Sequence, residues 1–185
     1  MKRKTIPKIA MAVSVAVFSA FTVQAEEDLQ ANAQQAMADI QKADSTLQTF
    51  MANSAGYAIF PDVGKGGFIV GGAHGKGLVY EKTKLIGQAT LTQASVGAQV
   101  GGQTFAEVIF FETPAALEDF KSGKFEMSAD VGAVAVKEGA SKTADYKKGV
   151  AVFTLPKKGL MVQASIGGQK FSFDPEIPQP TGRSK

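Results

Sequence analysis

The glycines of residues 55–79 limit the fold of this chain more than any other feature. The segment holds eight of the chain's 20 glycines, and apolar or aromatic residues lie between them. Glycine in such a setting is typical of strands that bend sharply or pass close to one another. The pattern predicts a glycine-rich, strongly bent antiparallel sheet, or a partly closed barrel, over residues 55–174.

The same glycines do not fit the motifs that bind nucleotide phosphates. A Walker-type loop needs Ser or Thr after its Gly-Lys pair, because that hydroxyl binds magnesium. Here Gly75 and Lys76 are followed by Gly77, and Val70 occupies the position of the first glycine. No clear helix follows the segment, so a dinucleotide-binding fingerprint does not fit either. We therefore predict no nucleotide ligand.

Residues 1–25 have the pattern of a signal peptide. Four basic residues precede an apolar stretch of about 15 residues, which is shorter than the ~20 residues needed to span a bilayer. Val23 and Ala25 place small side chains just before the expected cleavage site. We expect cleavage after Ala25 and a periplasmic or secreted mature protein with a single domain over residues 26–174.

The mature chain has no excess of positive charge. The whole chain contains 20 Lys and Arg against 17 Asp and Glu, and loss of the four basic residues of the signal brings the two nearly into balance. Net charge therefore gives no reason to predict a nucleic-acid partner. The chain has no cysteine and one histidine, so it lacks the ligands of structural zinc sites. We predict no cofactor and no metal.

A catalytic site is also hard to find in this sequence. A Ser-His-Asp triad would have to use His74, which lies between Ala73 and Gly75 with no nucleophile elbow nearby. Any two carboxylates could meet in the fold, but the acidic residues are scattered in ordinary strand settings. No group of residues meets the geometric requirements of a catalytic site, so we predict that the protein is not an enzyme.

Residues 26–54 predict a long N-terminal amphipathic helix. The segment has no glycine or proline, and its apolar residues recur at steps of three and four, which marks one helical face. This face is expected to pack on the sheet. Membrane contact is the alternative, although the polar face is acidic and an interfacial helix on anionic lipid should be basic.

The remaining segments read as short strands and one further short helix. Thr113 can cap a helix that begins at Pro114, Gly123 can end it, and Leu117 and Phe120 would face the sheet. Three prolines in residues 175–185 predict a disordered tail. The fold class is therefore α+β with about seven to nine strands. Besides the strands of the glycine-rich segment, strands are predicted at residues 84–92, 96–100, 105–111, 128–136, 149–155 and 159–173.

The sequence resembles one known family over nearly all of the mature chain. The matching motifs are AGYAIFPDVGKGGFIVGGAHGKGLVYE at 55–81, ASVGAQVGGQTFAEVIFF at 94–111, SADVGAVAV at 128–136 and KKGLMVQASIGGQKF at 157–171. They resemble the SYLF domain, found in secreted bacterial proteins and in eukaryotic endocytic proteins that regulate actin. The resemblance implies an exported module that binds membrane phospholipid. It does not extend to the actin-binding role, for which the chain has no matching sequence.

Lysines near glycine turns are the candidate lipid contacts. If these turns share one end of a barrel, they form a basic rim with aromatic residues, which would favour anionic phospholipid at about 1 kcal/mol per lysine. A solvated set of turn lysines is the alternative. A structural or protein-interaction domain, with an envelope protein as partner and no direct lipid binding, is the alternative function. The predicted rim consists of Lys65, Phe68, Lys76, Tyr80, Lys82, Lys84, Lys157 and Lys158.

Overall fold

The computed structural model describes the backbone of residues 10–66, 70–96, 103–123, 125–128, 130–158 and 166–175. Side chains are described from residue 27 onward, except beside the gaps. The basic start of the predicted signal peptide and nearly all of the predicted tail lie outside these residues. The domain bounds, the cleavage after Ala25 and the disorder of the tail therefore stay predictions.

The described chain contains three α-helices and seven strands. Two 3-10 turns, Ser45–Leu47 and Ala140–Thr143, accompany them. The helices are α1 (Ala10–Ala43), α2 (Gln48–Asn53) and α3 (Pro114–Lys121), and the strands are β1 (Gly56–Gly66), β2 (Val70–Glu81), β3 (Lys84–Val96), β4 (Gln103–Phe111), β5 (Ala133–Ala135), β6 (Val150–Lys158) and β7 (Gln169–Asp174).

All seven strands form one sheet in the order β5-β6-β4-β1-β2-β3-β7. Five neighbouring pairs are antiparallel, whereas β5 runs parallel to β6. The sheet is open, because β5 and β7 form its edges and no described pairing joins them. The α+β class is confirmed. The prediction of an antiparallel sheet is wrong at β5. A long connection after α3 leads into this strand, which therefore lies alongside β6 in the parallel direction.

Several predicted elements have different bounds in the structure, and the strands predicted at residues 96–100 and 159–173 lie partly outside the described residues. The helix predicted over residues 26–54 is interrupted at Asp44, whose side chain accepts a hydrogen bond from the Thr46 backbone and so caps a separate 3-10 turn. Short polar side chains of this kind compete with helical backbone bonds. The strand predicted over residues 128–136 is restricted to Ala133–Ala135.

The inner face of the sheet encloses an aromatic core. Phe60, Phe111, Phe120 and Phe171 are buried there, and Leu117 and Phe120 of α3 close one end. The sheet is strongly coiled, since Gln169 Nε2 on β7 donates to Glu107 Oε2 on β4 at 3.1 Å although three strands separate them in the sheet order.

The outer face of the sheet is covered in part by α1. Ala33, Ala36 and Ile40 of the helix are buried in a second cluster with Ile59 and Leu78 of the sheet. Among the described residues, no helix is both long enough and apolar enough to cross a membrane.

Two local predictions are confirmed by atomic contacts. A Cβ atom at Gly77 would lie 2.5 Å from a ring carbon of Phe60, so glycine is required where β2 crosses β1. At α3, the Thr113 hydroxyl accepts from the Ala116 backbone, proline begins the helix, and Gly123 has a φ of +68° just beyond its end.

Candidate functional site

The eight predicted lipid contacts do not share one end of the sheet. Lys65 pairs with Ala73 of β2, and Ala73 precedes Lys82 by nine residues, a length of strand that spans about 30 Å. Lys158 pairs with Thr104 at the Lys65 end. The arrangement as a single basic rim is therefore wrong, because sequence proximity to glycine turns does not say which end of a strand a turn occupies.

The predicted residues instead fall into three places. Tyr80, Lys82 and Lys84 surround the β2–β3 turn, and Lys76 lies mid-strand opposite Asp62. The backbones of Lys65, Lys157 and Lys158 lie toward the opposite end of the sheet. Phe68 and the side chains of Lys65 and Lys158 lie outside the described residues.

Two of the candidate lysines have structural partners. Lys157 Nζ lies 2.9 Å from Asp62 Oδ1. Lys82 Nζ donates to the Ser54 carbonyl oxygen at 2.7 Å and so ties the β2–β3 turn to the end of α2. Within the described part of the chain, the exposed side chains of Lys76 and Lys84 form no ion pair.

Two stacked tyrosines lie beside the β2–β3 turn. The rings of Tyr57 and Tyr80 are 4.8 Å apart and nearly parallel at 13°, and Leu85 pairs with Tyr80 across the turn. All three side chains are partly buried against the outer cluster. With exposed Lys84, which directly precedes Leu85 in β3, they make up what we call the tyrosine patch: Tyr57, Tyr80, Lys84 and Leu85.

The tyrosine patch combines apolar surface with polar tips. Burial, reinforced by the neighbouring Tyr80, raises the pKa of Tyr57 to about 12, and burial also raises the pKa of Tyr80. Both phenols are therefore neutral hydrogen-bonding groups at physiological pH. Tyrosine bodies with polar tips, an aliphatic residue and a lysine with a long stem suit a water–lipid boundary.

A cleft on the other side of α2 was not predicted from the sequence. It encloses about 280 Å³ between α2 and the Ala140–Tyr146 segment, and we call it the α2 cleft. The rings of Phe50 and Tyr146 lie 5.2 Å apart in it. Its residues are remote in sequence, so no local motif marks it. It is lined by Thr46, Thr49, Phe50, Asn53, Ser141, Lys142, Ala144, Asp145 and Tyr146.

Asp44 holds the two walls of this cleft together. Its carboxylate is fully buried and accepts from the backbone N–H groups of Thr46 at 3.0 Å, Gly139 at 3.2 Å and Ser141 at 2.8 Å. Burial by itself raises the pKa of Asp44, but the hydrogen bonds from Thr46 and Ser141 outweigh it and lower the pKa to about 2. Asp44 therefore links Thr46 and Ser141, which line the cleft from its two sides.

The described residues contain no group of three His, Cys, Asp or Glu side chains placed to hold a metal ion. His74 is exposed on β2, where it faces Gly64 and Thr92 in the neighbouring strands. Among the described residues, the tyrosine patch and the α2 cleft are the candidate binding features developed from these contacts.

These features define an α+β domain with a coiled, glycine-rich sheet. The tyrosine patch and the α2 cleft are its candidate binding features. Residues 92–178 match the family model described as Ysc84: Las17-binding protein actin regulator. The chain is also 34% identical over 123 residues to beta cell expansion factor A of Aeromonas veronii, which covers 66% of this chain and 47% of that protein.

Residues 92–178 thus match the Ysc84 (SYLF) family, and the resemblance found in the sequence is confirmed there. The chain spans about half the length of the curated relative that it matches.

Proposed function

We propose that this chain is an exported, non-enzymatic module of the cell envelope that binds membrane phospholipid through the tyrosine patch. The sequence resemblance to the SYLF domain, which implies lipid binding, supports the lipid class, and the signal-like residues 1–25 support export to the periplasm or beyond. The single observation that carries the proposal is the stacked pair Tyr57 and Tyr80 beside the β2–β3 turn, and the same turn is followed by exposed Lys84.

The tyrosine patch favours shallow contact with the interface over deep insertion. Tyrosine rings settle at the level of the headgroups, where one end is apolar and the other is wet. Each lysine near an anionic surface adds about 1 kcal/mol. Lys84 is the cation of the tyrosine patch, and Lys82, whose ammonium keeps its charge while it donates to Ser54, lies in the adjoining turn. Anionic phospholipid is thus preferred, with a weaker salt dependence than a rim of several lysines would give.

Vesicle co-sedimentation tests this proposal. The chain should pellet with vesicles that contain anionic lipid, and Tyr80→Ser and Lys84→Gln should each reduce pelleting. Lys137→Gln is the matched control, because Lys137 is exposed and lies outside the tyrosine patch. Circular dichroism should show that all variants are folded. Equal pelleting of Tyr80→Ser and the control would refute the assignment of the patch.

The alternative function is a protein-interaction domain of the periplasm without direct lipid binding. The outer sides of β5 and β7 are edges of the sheet, and an extended segment of an envelope protein could add a strand there. Negligible pelleting of the folded chain across all lipid compositions would favour this alternative over lipid binding.

A further inference from the structure

The α2 cleft joins aromatic walls to a pair of opposite charges. Phe50 and Tyr146 provide two rings inclined at 56°, and Lys142 and Asp145 provide the charges. Both charged side chains are exposed, and neither forms an ion pair with a described residue. An apolar recess with one positive and one negative group beside it is complementary to a small zwitterion.

The ring of Tyr146, and not its hydroxyl, is the part of this residue that a ligand in the cleft would meet. The hydroxyl is buried and makes no hydrogen bond with any described residue, which is uncommon for a buried polar atom. Burial raises the pKa of Tyr146, and the negative charge of Glu112 raises it further. The phenol therefore stays neutral, and the charge of Glu112 favours a cationic ligand group beside the ring.

The volume of the α2 cleft limits the size of its ligand. About 280 Å³ lies just below the ~300–1,000 Å³ of pockets that enclose drug-sized molecules. A lipid headgroup fits within this limit, whereas a pair of acyl chains does not.

The α2 cleft is linked to the tyrosine patch through the core. The ring of Phe110, which is fully buried, lies 6.0 Å from Tyr57 and 5.8 Å from Phe50. One buried ring therefore contacts an aromatic residue of each feature.

We propose that the α2 cleft binds the phosphoethanolamine headgroup of a phospholipid. The ammonium lies against the rings of Phe50 and Tyr146 near the Asp145 carboxylate, and the phosphate is bound by Lys142. Aromatic faces attract cations of this kind, and opposite charges within hydrogen-bond reach strengthen the contact. This inference rests on the proposed lipid-binding function and names the headgroup.

The same chemistry distinguishes ethanolamine from choline. A primary ammonium has N–H groups that can donate to the exposed Asp145 carboxylate, whereas the trimethylammonium of choline has none. The α2 cleft should therefore bind phosphoethanolamine more tightly than phosphocholine. Inorganic phosphate, which lacks the cation, should bind more weakly than either.

Titration of the full chain with soluble O-phosphoethanolamine, followed by heteronuclear NMR, tests the site directly. We expect saturable shifts confined to α2 and residues 140–146. Asp145→Asn and Lys142→Gln should each weaken the affinity about tenfold, and Lys137→Gln should leave it unchanged. The proposal would be overturned if no saturable shift appeared, or if Asp145→Asn bound O-phosphoethanolamine as tightly as the wild type does. Equal affinity of the wild type for inorganic phosphate and for O-phosphoethanolamine would also overturn it, because it would show a simple anion site.

Vesicle binding in the same variants separates this inference from the proposed function. If soluble phosphoethanolamine does not bind while vesicles still pellet the chain, the inference fails and lipid binding stands. If soluble phosphoethanolamine binds but no vesicle pellets the chain, the α2 cleft is supported and the membrane function fails. If both hold, adding phosphatidylethanolamine to the vesicles should increase pelleting of the wild type but not of Asp145→Asn.

Discussion

Replacing Asp44 by Ala should destabilise the chain more than any other single change at its polar positions. The carboxylate has no solvent exposure and accepts from three backbone N–H groups in two segments, residues 44–46 and 139–141. The variant removes the acceptor but leaves the donors in place. A buried donor left without a partner costs about 1–3 kcal/mol, and loss of a capping side chain costs about 0.5–2 kcal/mol.

We expect the free energy of unfolding of Asp44→Ala to fall by about 2–4 kcal/mol. The lower figure applies if water reaches Gly139 and Ser141 in the variant. Ser45→Ala is a suitable control, since Ser45 is adjacent and its hydroxyl bonds only exposed Glu138, at 3.1 Å, among the contacts of the described residues. Exposed contacts of this kind change stability by about 0.5 kcal/mol or less.

The pH dependence of stability provides a second measurement on the same variant. The pKa of Asp44 is lowered from 3.8 to about 2, so its ionised form is favoured by folding. The resulting stabilisation is fully present above pH 3.8 and is lost as the pH falls through about 2. A shift of this size corresponds to about 2–3 kcal/mol of stability, because one pKa unit is worth about 1.4 kcal/mol.

Urea unfolding of the wild type, Asp44→Ala and Ser45→Ala at several pH values measures both effects. The difference in unfolding free energy between wild type and Asp44→Ala should be constant near neutral pH and should shrink in acid. A loss below 1 kcal/mol at neutral pH, or a difference that does not shrink in acid, would refute the role of Asp44 as a buried acceptor.

Three further predictions concern the sheet and its tyrosines. Gly77→Ala should cost about 1–3 kcal/mol in urea unfolding, because its Cβ would lie 2.5 Å from a ring carbon of β1, whereas Gly64→Ala, with no atom within 4 Å, should be near neutral. A double-mutant cycle of Glu107→Leu and Gln169→Leu should give a coupling free energy of about 1.5–3 kcal/mol, because the two side chains share a 3.1 Å hydrogen bond. If the two substitutions change the free energy of unfolding additively, this bond does not hold β7 over β4. Spectrophotometric titration should find little phenolate from Tyr57 at pH 10, since burial raises the pKa of Tyr57 to about 12. The stabilisation that its neutral form provides is present below about pH 10 and is lost as the pH rises through 12. Titration of all tyrosines of the folded chain at the usual pKa of 10 would contradict the stacked, buried pair.

Local chemistry made several features of this protein predictable from the sequence. The capped helix α3 depends on Thr113, Pro114 and Gly123, which act on backbone groups within a few residues. The requirement for glycine at Gly77 follows from the alternation of glycine with bulky residues in a strand. The family motifs were also readable in the sequence, because they combine such local requirements in a fixed order.

Other features depend on contacts between residues distant in the chain. Asp44 bonds Ser141, 97 positions away, so its interruption of the predicted helix has no strong signal within residues 26–54. Likewise, the alternation of a strand says which residues share a face but not at which end its turn lies. For this reason, the lysines that were predicted to form one rim lie at both ends of the sheet.

The sequence by itself therefore determined the α+β class, the family and the positions where a side chain does not fit. The tertiary structure decided which residues meet: the curl that brings Gln169 to Glu107, the tyrosine patch and the α2 cleft. The physical reason is that caps and close approaches act over a few bonds, whereas a binding surface is made by packing elements far apart along the chain.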